Sequence, residues 1–187
     1  MTTVQRDAIR TRRALLEAAE HALMAHGPQV SLEVVARDAG VSKGGLLHHF
    51  RSREALLRAL CEHWIQQYDD AVARHLEPDD GRPGRFCRAH IMASFDPSIG
   101  DGPWRNVAVQ SALLAIPGLF EHARINGRRW ETEMASDGLH PQRVLLIARA
   151  LDGDSMTEIF DADSDESQSN ELRDLLLGLT ERNDPLV

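Results

Sequence analysis

The side chains best suited to chemistry lie in one stretch, residues 41–50, with the sequence VSKGGLLHHF. It combines a serine hydroxyl, the ammonium of Lys43 and two adjacent imidazoles, His48 and His49. Such groups bind phosphate, and imidazole also binds metal ions. Neighbouring residues on a helix point about 100° apart, so the two histidines cannot chelate one metal ion without further ligands. Contact with a phosphate-bearing partner is the better interpretation.

Two adjacent glycines, Gly44 and Gly45, stand where the surrounding apolar pattern predicts the first turn of a helix. Each costs a helix about 0.8–1.0 kcal/mol relative to alanine, and glycine lets another molecule approach the backbone closely. On a helical wheel Leu46 and Phe50 share the inward face, whereas Gly44 and His48 lie opposite. The major groove of B-DNA admits one helix with such a face. Duplex DNA is therefore the predicted close neighbour.

The residues before this stretch predict how the helix is positioned. Ser31 is placed to cap a short helix over residues 32–39, which Gly40 ends, and Ser42 is placed to cap the next helix. Two short helices joined by a tight turn have the layout of a helix-turn-helix.

The rest of the chain predicts further helices. A first helix over residues 7–26 ends at a Gly-Pro pair, and a fourth, capped by Ser52, runs to about Leu76. Helical periodicity recurs at about 85–95, 104–115, 118–136, 141–160 and 170–182. No alternating strand pattern of useful length occurs, so the predicted fold class is all-α.

The segment GVSKGGLLHHFRSREALL closely resembles the helix-turn-helix signature of the TetR family of transcriptional regulators. The resemblance covers about residues 8–60. It implies an all-α homodimer with an N-terminal three-helix DNA-binding domain and a helical C-terminal domain that binds a small molecule and dimerises. We therefore expect a DNA-binding domain at 1–51, a connecting helix at 52–76, and a ligand-binding and dimerisation domain at 77–187.

The resemblance also implies which residues contact DNA. Arg53 matches a basic residue that typically holds a phosphate at the start of the fourth helix. Leu47 departs from the tyrosine usual in the family, and its side chain could pack on a thymine methyl group instead. His49 lies nearer the inner face, as a packing residue or a phosphate donor. The full set of expected contacts is Ser31, Ser42, Lys43, Gly44, Gly45, Leu47, His48, His49 and Arg53.

Charge is unevenly distributed along a chain whose net charge is −8. Residues 1–63 carry nine basic against seven acidic residues, and the remainder carries twelve against twenty-two. This predicts a slightly basic head on an acidic body. Four arginines crowd into the first thirteen positions, either as a DNA-contacting arm or as an ordinary solvated helix start: Arg6, Arg10, Arg12 and Arg13.

Two amphipathic stripes near the end of the chain predict a dimer interface. In a family that dimerises through its last two long helices, they suggest a four-helix arrangement. The first stripe comprises Leu145, Ala148, Leu151, Ser155 and Ile159, and the second comprises Leu172, Leu175, Leu176 and Leu179.

Large apolar groups in the middle segments predict the lining of a pocket for a small molecule. Most of them also suit an ordinary core, and the acidic body mildly favours a neutral or cationic ligand. The candidates are Met92, Phe95, Trp104, Leu113, Leu114, Phe120, Trp130 and Met134.

The sequence gives little support for a calcium, zinc or redox site. The acidic segment that begins at Asp161 imitates a calcium loop, but Glu166 and Leu172 stand where glycine and glutamate are required, so a disordered acidic loop is expected. Cys61 and Cys87 match no redox or zinc spacing and are expected to be reduced, structural thiols.

No membrane-spanning run and no secretory signal are seen, and a cytoplasmic protein is expected.

These patterns predict a ligand-responsive transcriptional regulator that is not an enzyme and holds no cofactor or metal. We expect a homodimeric repressor that binds a palindromic operator and is released by a small molecule. An activator and a regulator that answers to a protein partner remain alternatives, and a helical enzyme is a remote one.

Overall fold

The computed structural model describes residues 3–27, 29–99, 118–160 and 166–187. Within these ranges every regular element is helical, which confirms the all-α prediction. None of the helices described there is long and apolar enough to cross a membrane. The elements are α1 Thr3–His26, α2 Leu32–Asp38, α3 Lys43–His49, α4 Arg53–His75, α5 Arg85–Ser94, a 3-10 turn Pro97–Ile99, α6 Leu119–Ala135, α7 Pro141–Phe160 and α8 Glu166–Leu179.

Most predicted helix bounds agree with these to within a few residues, and α8 differs most. It begins at Glu166, so the prediction of an irregular acidic loop was wrong for residues 166–169. The helix ends early because the backbone N–H and hydroxyl of Thr180 both donate to the carbonyl of Leu177. Residues 161–165 and the predicted helix at 104–115 lie outside the described residues.

The described residues form two compact units. The first holds the chain up to Trp64 together with residues 118–123, and the second holds residues 65–99 and those from Arg124 onward. In the first unit α1 packs on α2, and α2 packs on α3. Its buried apolar residues include Leu15, Leu16, Ala19, Leu23, Val35, Leu46, Phe50, Leu56 and Leu60.

The turn between α2 and α3 depends on Gly40. Its φ of +69° lies in the left-handed region, which glycine enters without steric cost. This conformation lets the N–H of Val41 donate to the carbonyl of Ala36 at 2.9 Å, as in a helix C-terminal glycine motif. The two helices are therefore joined by a tight turn at Gly40, as predicted.

In the second unit α5, α7 and α8 pack against one another. The core they enclose comprises Cys87, Ile91, Met134, Leu139, Val144, Ile147, Ala148 and Leu176. Cys87, like Cys61 in the first unit, is a free, buried thiol. Burial raises the pKa of Cys61 to about 11 and that of Cys87 to about 12, so both stay protonated and pack as small apolar groups.

Side chains distant in sequence tie the second unit together. Arg143 is only 5% exposed and donates to the carbonyl of Leu179 at 3.0 Å and to that of Asp184 at 2.7 Å. Asp137 accepts from the N–H of Gly84 at 3.0 Å and from that of Phe86, so it caps α5 from far along the chain. Gly84 is the N-cap residue of α5, and it has no side chain that could accept these hydrogen bonds.

Substituting Asp137→Ala should destabilise the protein by about 1–3 kcal/mol, because it leaves part-buried N–H groups without acceptors. Urea unfolding followed by circular dichroism at one protein concentration measures the change. Ser136→Ala, which removes only an exposed bond to the Glu133 carbonyl, is the matched control. Equal stability of the two variants would contradict the capping role.

Candidate functional site

Three serines cap helices in the first unit, as predicted. The hydroxyl oxygen of Ser42 accepts from the N–H of Gly45 at 3.0 Å, and that of Ser31 accepts from Val34 at 3.4 Å. Ser52 does the same at the start of α4. Each hydroxyl uses an acceptor lone pair in this bond and keeps its own proton as a donor. That of Ser31 also faces the Glu33 carboxylate and helps to lower its pKa.

The outer face of α3 is open to solvent. Lys43, Gly44, Leu47 and His48 are exposed, whereas Leu46 on the opposite face is fully buried. Gly45 and His49 are half-buried between these two faces. The face that the helical wheel assigned to DNA is therefore accessible.

The fold itself does not require glycine at Gly44 or Gly45. A Cβ built on Gly44 would meet only the Ser42 hydroxyl, at 3.9 Å, and one on Gly45 would meet the same oxygen at 3.4 Å and Val41 at 3.8 Å. Neither glycine has a positive φ. Within the described residues alanine would fit at both positions and would favour the helix. Among the described residues, no contact and no backbone conformation accounts for glycine at these two positions.

Lys43 is paired with a carboxylate on the neighbouring helix. Its ammonium binds Glu33 of α2, and the side chains are 55% and 59% exposed. This hydrogen bond from Lys43 is the largest cause that lowers the pKa of Glu33. Exposed ion pairs are weak and are screened by salt. A phosphate can therefore replace Glu33 as the partner of Lys43.

Two arginines that lie on the neighbouring helices α4 and α1 contact residues of the helix-turn-helix. The Nε of Arg53 donates to the carbonyl of Val30 at 3.1 Å, which uses one of five guanidinium donors. Arg12 of α1 lies over the Phe50 ring, 5.2 Å from its centroid, a cation–π contact that the sequence pattern did not indicate. Arg10 and Arg13 pair with acidic neighbours on α1 itself.

A cavity of about 380 Å³ lies in the second unit. Of the predicted pocket residues, Trp130 and Met134 line it. Met92 and Phe95 are half-buried elsewhere, and Phe120, 53% exposed, belongs to the first unit. Trp104, Leu113 and Leu114 lie outside the described residues. The full lining is Tyr68, His90, Arg124, Gly127, Arg128, Trp130, Glu131, Met134, Ala148, Leu151 and Asp152.

Sequence reasoning missed Tyr68 and His90 in this lining. Neither residue was among the pocket candidates chosen from the sequence. The available signal was a histidine in a predicted helix whose neighbours Cys87, Ile91 and Ala93 are all apolar. A polar ring on such a face requires a partner when it is buried.

The stripes predicted to form a dimer interface separate into two groups. Leu145 and Leu175 are 58% and 63% exposed, but Ala148 and Leu176 are 8% and 3% exposed and belong to the protomer's own core. The prediction is corrected for those two, because helical spacing identifies an apolar face but not the surface that covers it. Leu151, Leu172 and Leu179 are partly buried against the same core, and the side chains of Ser155 and Ile159 are outside the described set. Leu146, which the predicted stripes did not include, is also exposed, at 47%.

Substituting Gly44→Ala should act in opposite directions on folding and on DNA binding. Stability should rise by about 0.8 kcal/mol from helix propensity, whereas affinity for duplex DNA should fall because a methyl group now stands on the exposed face. Urea unfolding and fluorescence anisotropy with labelled duplexes measure the two effects. Gly127→Ala, in α6 with nothing within 4 Å of the added Cβ, should stabilise without changing DNA affinity. Unchanged DNA binding by the Gly44 variant would refute a close approach at this face.

Comparison with known proteins agrees with this geometry. The family model described as "Bacterial regulatory proteins, tetR family" matches residues 15–60, and "Tetracyclin repressor-like, C-terminal domain" matches residues 84–181. The HTH-type transcriptional regulator BetI of Ectopseudomonas mendocina is 33% identical over 121 residues, which cover 62% of this chain and 59% of that protein. The match thus spans less than two thirds of that relative.

Solved structures share the fold at low sequence identity. A transcriptional regulator from Rhodococcus sp. Rha1 aligns with a TM-score of 0.73 at 19% identity, over 90% of this chain and 95% of that one. The TetR-like regulator LfrR from Mycobacterium smegmatis, solved in complex with proflavine, aligns with a TM-score of 0.56 at 22% identity, over 95% and 99%. With family models that match both the helix-turn-helix and the helical body, the chain belongs to the TetR family of transcriptional regulators.

Proposed function

We propose that this regulator is a cytoplasmic repressor that binds a palindromic operator as a homodimer and leaves it when a small molecule occupies the cavity of the second unit. The observation that carries the DNA-binding part is the outer face of α3. Among the described residues nothing in the fold requires its two glycines, and the face is exposed. A partner that requires close approach to this helix explains both facts.

In this proposal α3 enters the major groove by its N-terminal turn. Lys43 exchanges the Glu33 carboxylate for a phosphate, and Arg53 holds a second phosphate with the donors that the Val30 carbonyl does not use. His48 reaches a base edge, and Leu47 packs on a thymine methyl group. The remaining contacts are made at the helix tips and flanks by Ser31, Ser42, Gly44, Gly45 and His49.

The proposed domain boundaries follow from the same role. Residues 1–51 form the DNA-binding domain, 52–76 the connecting helix and 77–187 the ligand-binding and dimerisation domain. α4 is one continuous helix with residues in both units, so it is the proposed route of coupling. A ligand releases DNA only if it binds the non-DNA conformation more tightly. A coupling of about 1–3 kcal/mol would change DNA affinity roughly five- to 150-fold.

Two observations support a small-molecule effector. The cavity of about 380 Å³ lies within the usual range for ligand pockets. The structural neighbour LfrR is known in complex with proflavine, which shows a ligand complex on this fold in that protein. For this chain, an effector in the second unit is part of the proposal.

Selection of bound duplexes from a random pool tests the DNA-binding proposal and should return a palindrome. On that operator, Lys43→Ala should weaken binding to all sequences and reduce the slope of log affinity against log salt by about one. His48→Ala should instead relax preference at one base step, by about 1–3 kcal/mol. Arg182→Ala, which removes an exposed cation from the second unit, is the charge-matched control. Equal, sequence-independent losses for Lys43→Ala and His48→Ala would show that their roles are assigned wrongly.

The composition allows a direct footprint of the same contact. Lys43 is the sole lysine of the chain, so an amine-acetylating reagent has one side-chain target. We expect operator DNA to slow acetylation of Lys43, measured by mass spectrometry, relative to a scrambled duplex. Equal rates with both duplexes would contradict a specific phosphate contact.

The proposed dimer interface includes the exposed leucines Leu145 and Leu175. The double change Leu145→Glu and Leu175→Glu should yield monomers, because a two-fold interface would bury like charges against each other. Sedimentation equilibrium measures the association state, and Ile9→Glu on α1, also at an exposed apolar residue, is the control. A folded double variant that remains dimeric would place the interface elsewhere.

A further inference from the structure

His90 is a buried histidine on α5 whose hydrogen bonding is incomplete. It is 1% exposed and lines the cavity. Its Nδ1 lies 3.1 Å from the hydroxyl of Tyr68, but its Nε2 has no hydrogen-bond partner among the described residues. Buried polar atoms without partners are uncommon in folded proteins. Nε2 is therefore a candidate contact for a bound molecule.

The surroundings of His90 indicate which nitrogen carries the proton. The carboxylate of Glu133 lies 3.4 Å from Nε2 without making a hydrogen bond to it, and a lone pair on that nitrogen would face its negative charge. The proton is therefore on Nε2, and Nδ1 accepts from the Tyr68 hydroxyl. Burial lowers the pKa of His90 to about 4, so the imidazole is uncharged at neutral pH. His90 thus offers the cavity a neutral N–H donor.

Two aromatic rings form a corner of the cavity. Tyr68 and Trp130 have ring centroids 4.6 Å apart and planes inclined at 56°. The indole N–H of Trp130 donates to Asp69 at 2.8 Å, and Arg129 binds the same carboxylate. These bonds fix the orientation of the indole. A flat apolar ring can therefore pack against a surface that is already in place.

The charges in and beside the cavity are balanced. The carboxylates of Glu131 and Asp152 are both bound by Arg149. Among the described residues, the charged lining residues and the ion-pair partners of the lining residues are three cations and three anions: Arg124, Arg128 and Arg149 against Glu131, Glu133 and Asp152. A charged ligand that left water here would meet no excess of opposite charge, so an uncharged one is favoured.

Gly127 leaves space at one side of the cavity. It lies within α6, lines the cavity, and an added Cβ would meet nothing within 4 Å. Alanine is more favourable than glycine inside a helix, and this site has room for it. Because Gly127 lines the cavity, a larger side chain at this position is expected to take up part of its volume.

We propose that the cavity binds an uncharged, planar aromatic molecule whose carbonyl-type oxygen accepts the Nε2–H of His90 while its ring packs against Tyr68 and Trp130. This rests on the proposed function in taking the cavity as the effector site, and it adds the chemical class of the effector. His90 is the residue that determines specificity for the acceptor group.

Four probes with one naphthalene ring test the class by calorimetry on the full chain without DNA. They are 2-acetylnaphthalene, its acceptor-free analogue 2-ethylnaphthalene, the anion 2-naphthoate and the cation 2-naphthylmethylammonium. We expect the acetyl probe to bind about tenfold more tightly than the ethyl probe, since it satisfies a buried donor. Both charged probes should bind more weakly than the acetyl probe. Preference for either charged probe, or no binding by any probe, would overturn the proposal.

Variants separate the hydrogen bond from a packing role. His90→Leu should bring the acetyl-to-ethyl affinity ratio to about one and leave the ethyl probe nearly unaffected. A purely structural role would weaken both probes equally. His90→Gln, whose amide N–H lies near the position of Nε2, should retain the ratio, and it provides the test if the leucine variant fails to fold. Gly127→Leu should abolish binding of all probes, whereas Gly127→Ala should not.

Operator affinity measured on the same proteins keeps the two proposals apart. Tight operator binding without the acetyl preference overturns the ligand class and leaves the DNA-binding role standing. The acetyl preference without operator binding supports the ligand class and overturns the repressor. The acetyl preference together with operator binding that no probe weakens supports the ligand class and contradicts release by this cavity.

Discussion

The burial of Leu46 and Phe50 is the constraint on which the DNA-facing surface depends. α3 has only seven residues, too few for a helix to persist alone in water. It holds because these two side chains, 0% and 4% exposed, lie in the core of the first unit, and because Ser42 caps its first turn. Once the inner face is buried, the opposite face must point to solvent. Two glycines can then occupy the helix, because its stability derives from packing rather than from propensity.

The second unit is held by a different kind of interaction. Its apolar core is formed by α5, α7 and α8, but polar side chains far apart in sequence determine how the helix ends meet. Asp137 caps α5, Arg143 binds the end of α8, and Asp69 orients Trp130. Part-buried bonds of this kind are costly to break on one side only. The positions of the residues that line the cavity therefore depend on contacts throughout the unit and not on any one helix.

The two units therefore carry different parts of the proposed role. The first presents exposed donors on a short, rigidly packed helix, where exchange of Glu33 for a phosphate costs little because the ion pair is in solvent. The second encloses a buried donor, the Nε2–H of His90, and a buried donor without a partner costs more free energy than an exposed one. A ligand that must bind one conformation of the protein more tightly than another needs a buried group of this kind. A fully solvated group gains little free energy when a ligand replaces water as its partner.

The sequence alone determined the local features of this protein. The Ser31, Ser42 and Ser52 caps, the Gly40 turn and the inward Leu46 follow from rules that act over a few residues, and the structure confirms them. The tertiary structure decided the rest. Leu175 and Leu176 are adjacent and identical, yet one is exposed and the other is core, and Tyr68 and His90 meet although 22 positions separate them. Periodicity shows which face of a helix is apolar, but only packing against other helices decides what covers that face and which polar groups it leaves without partners.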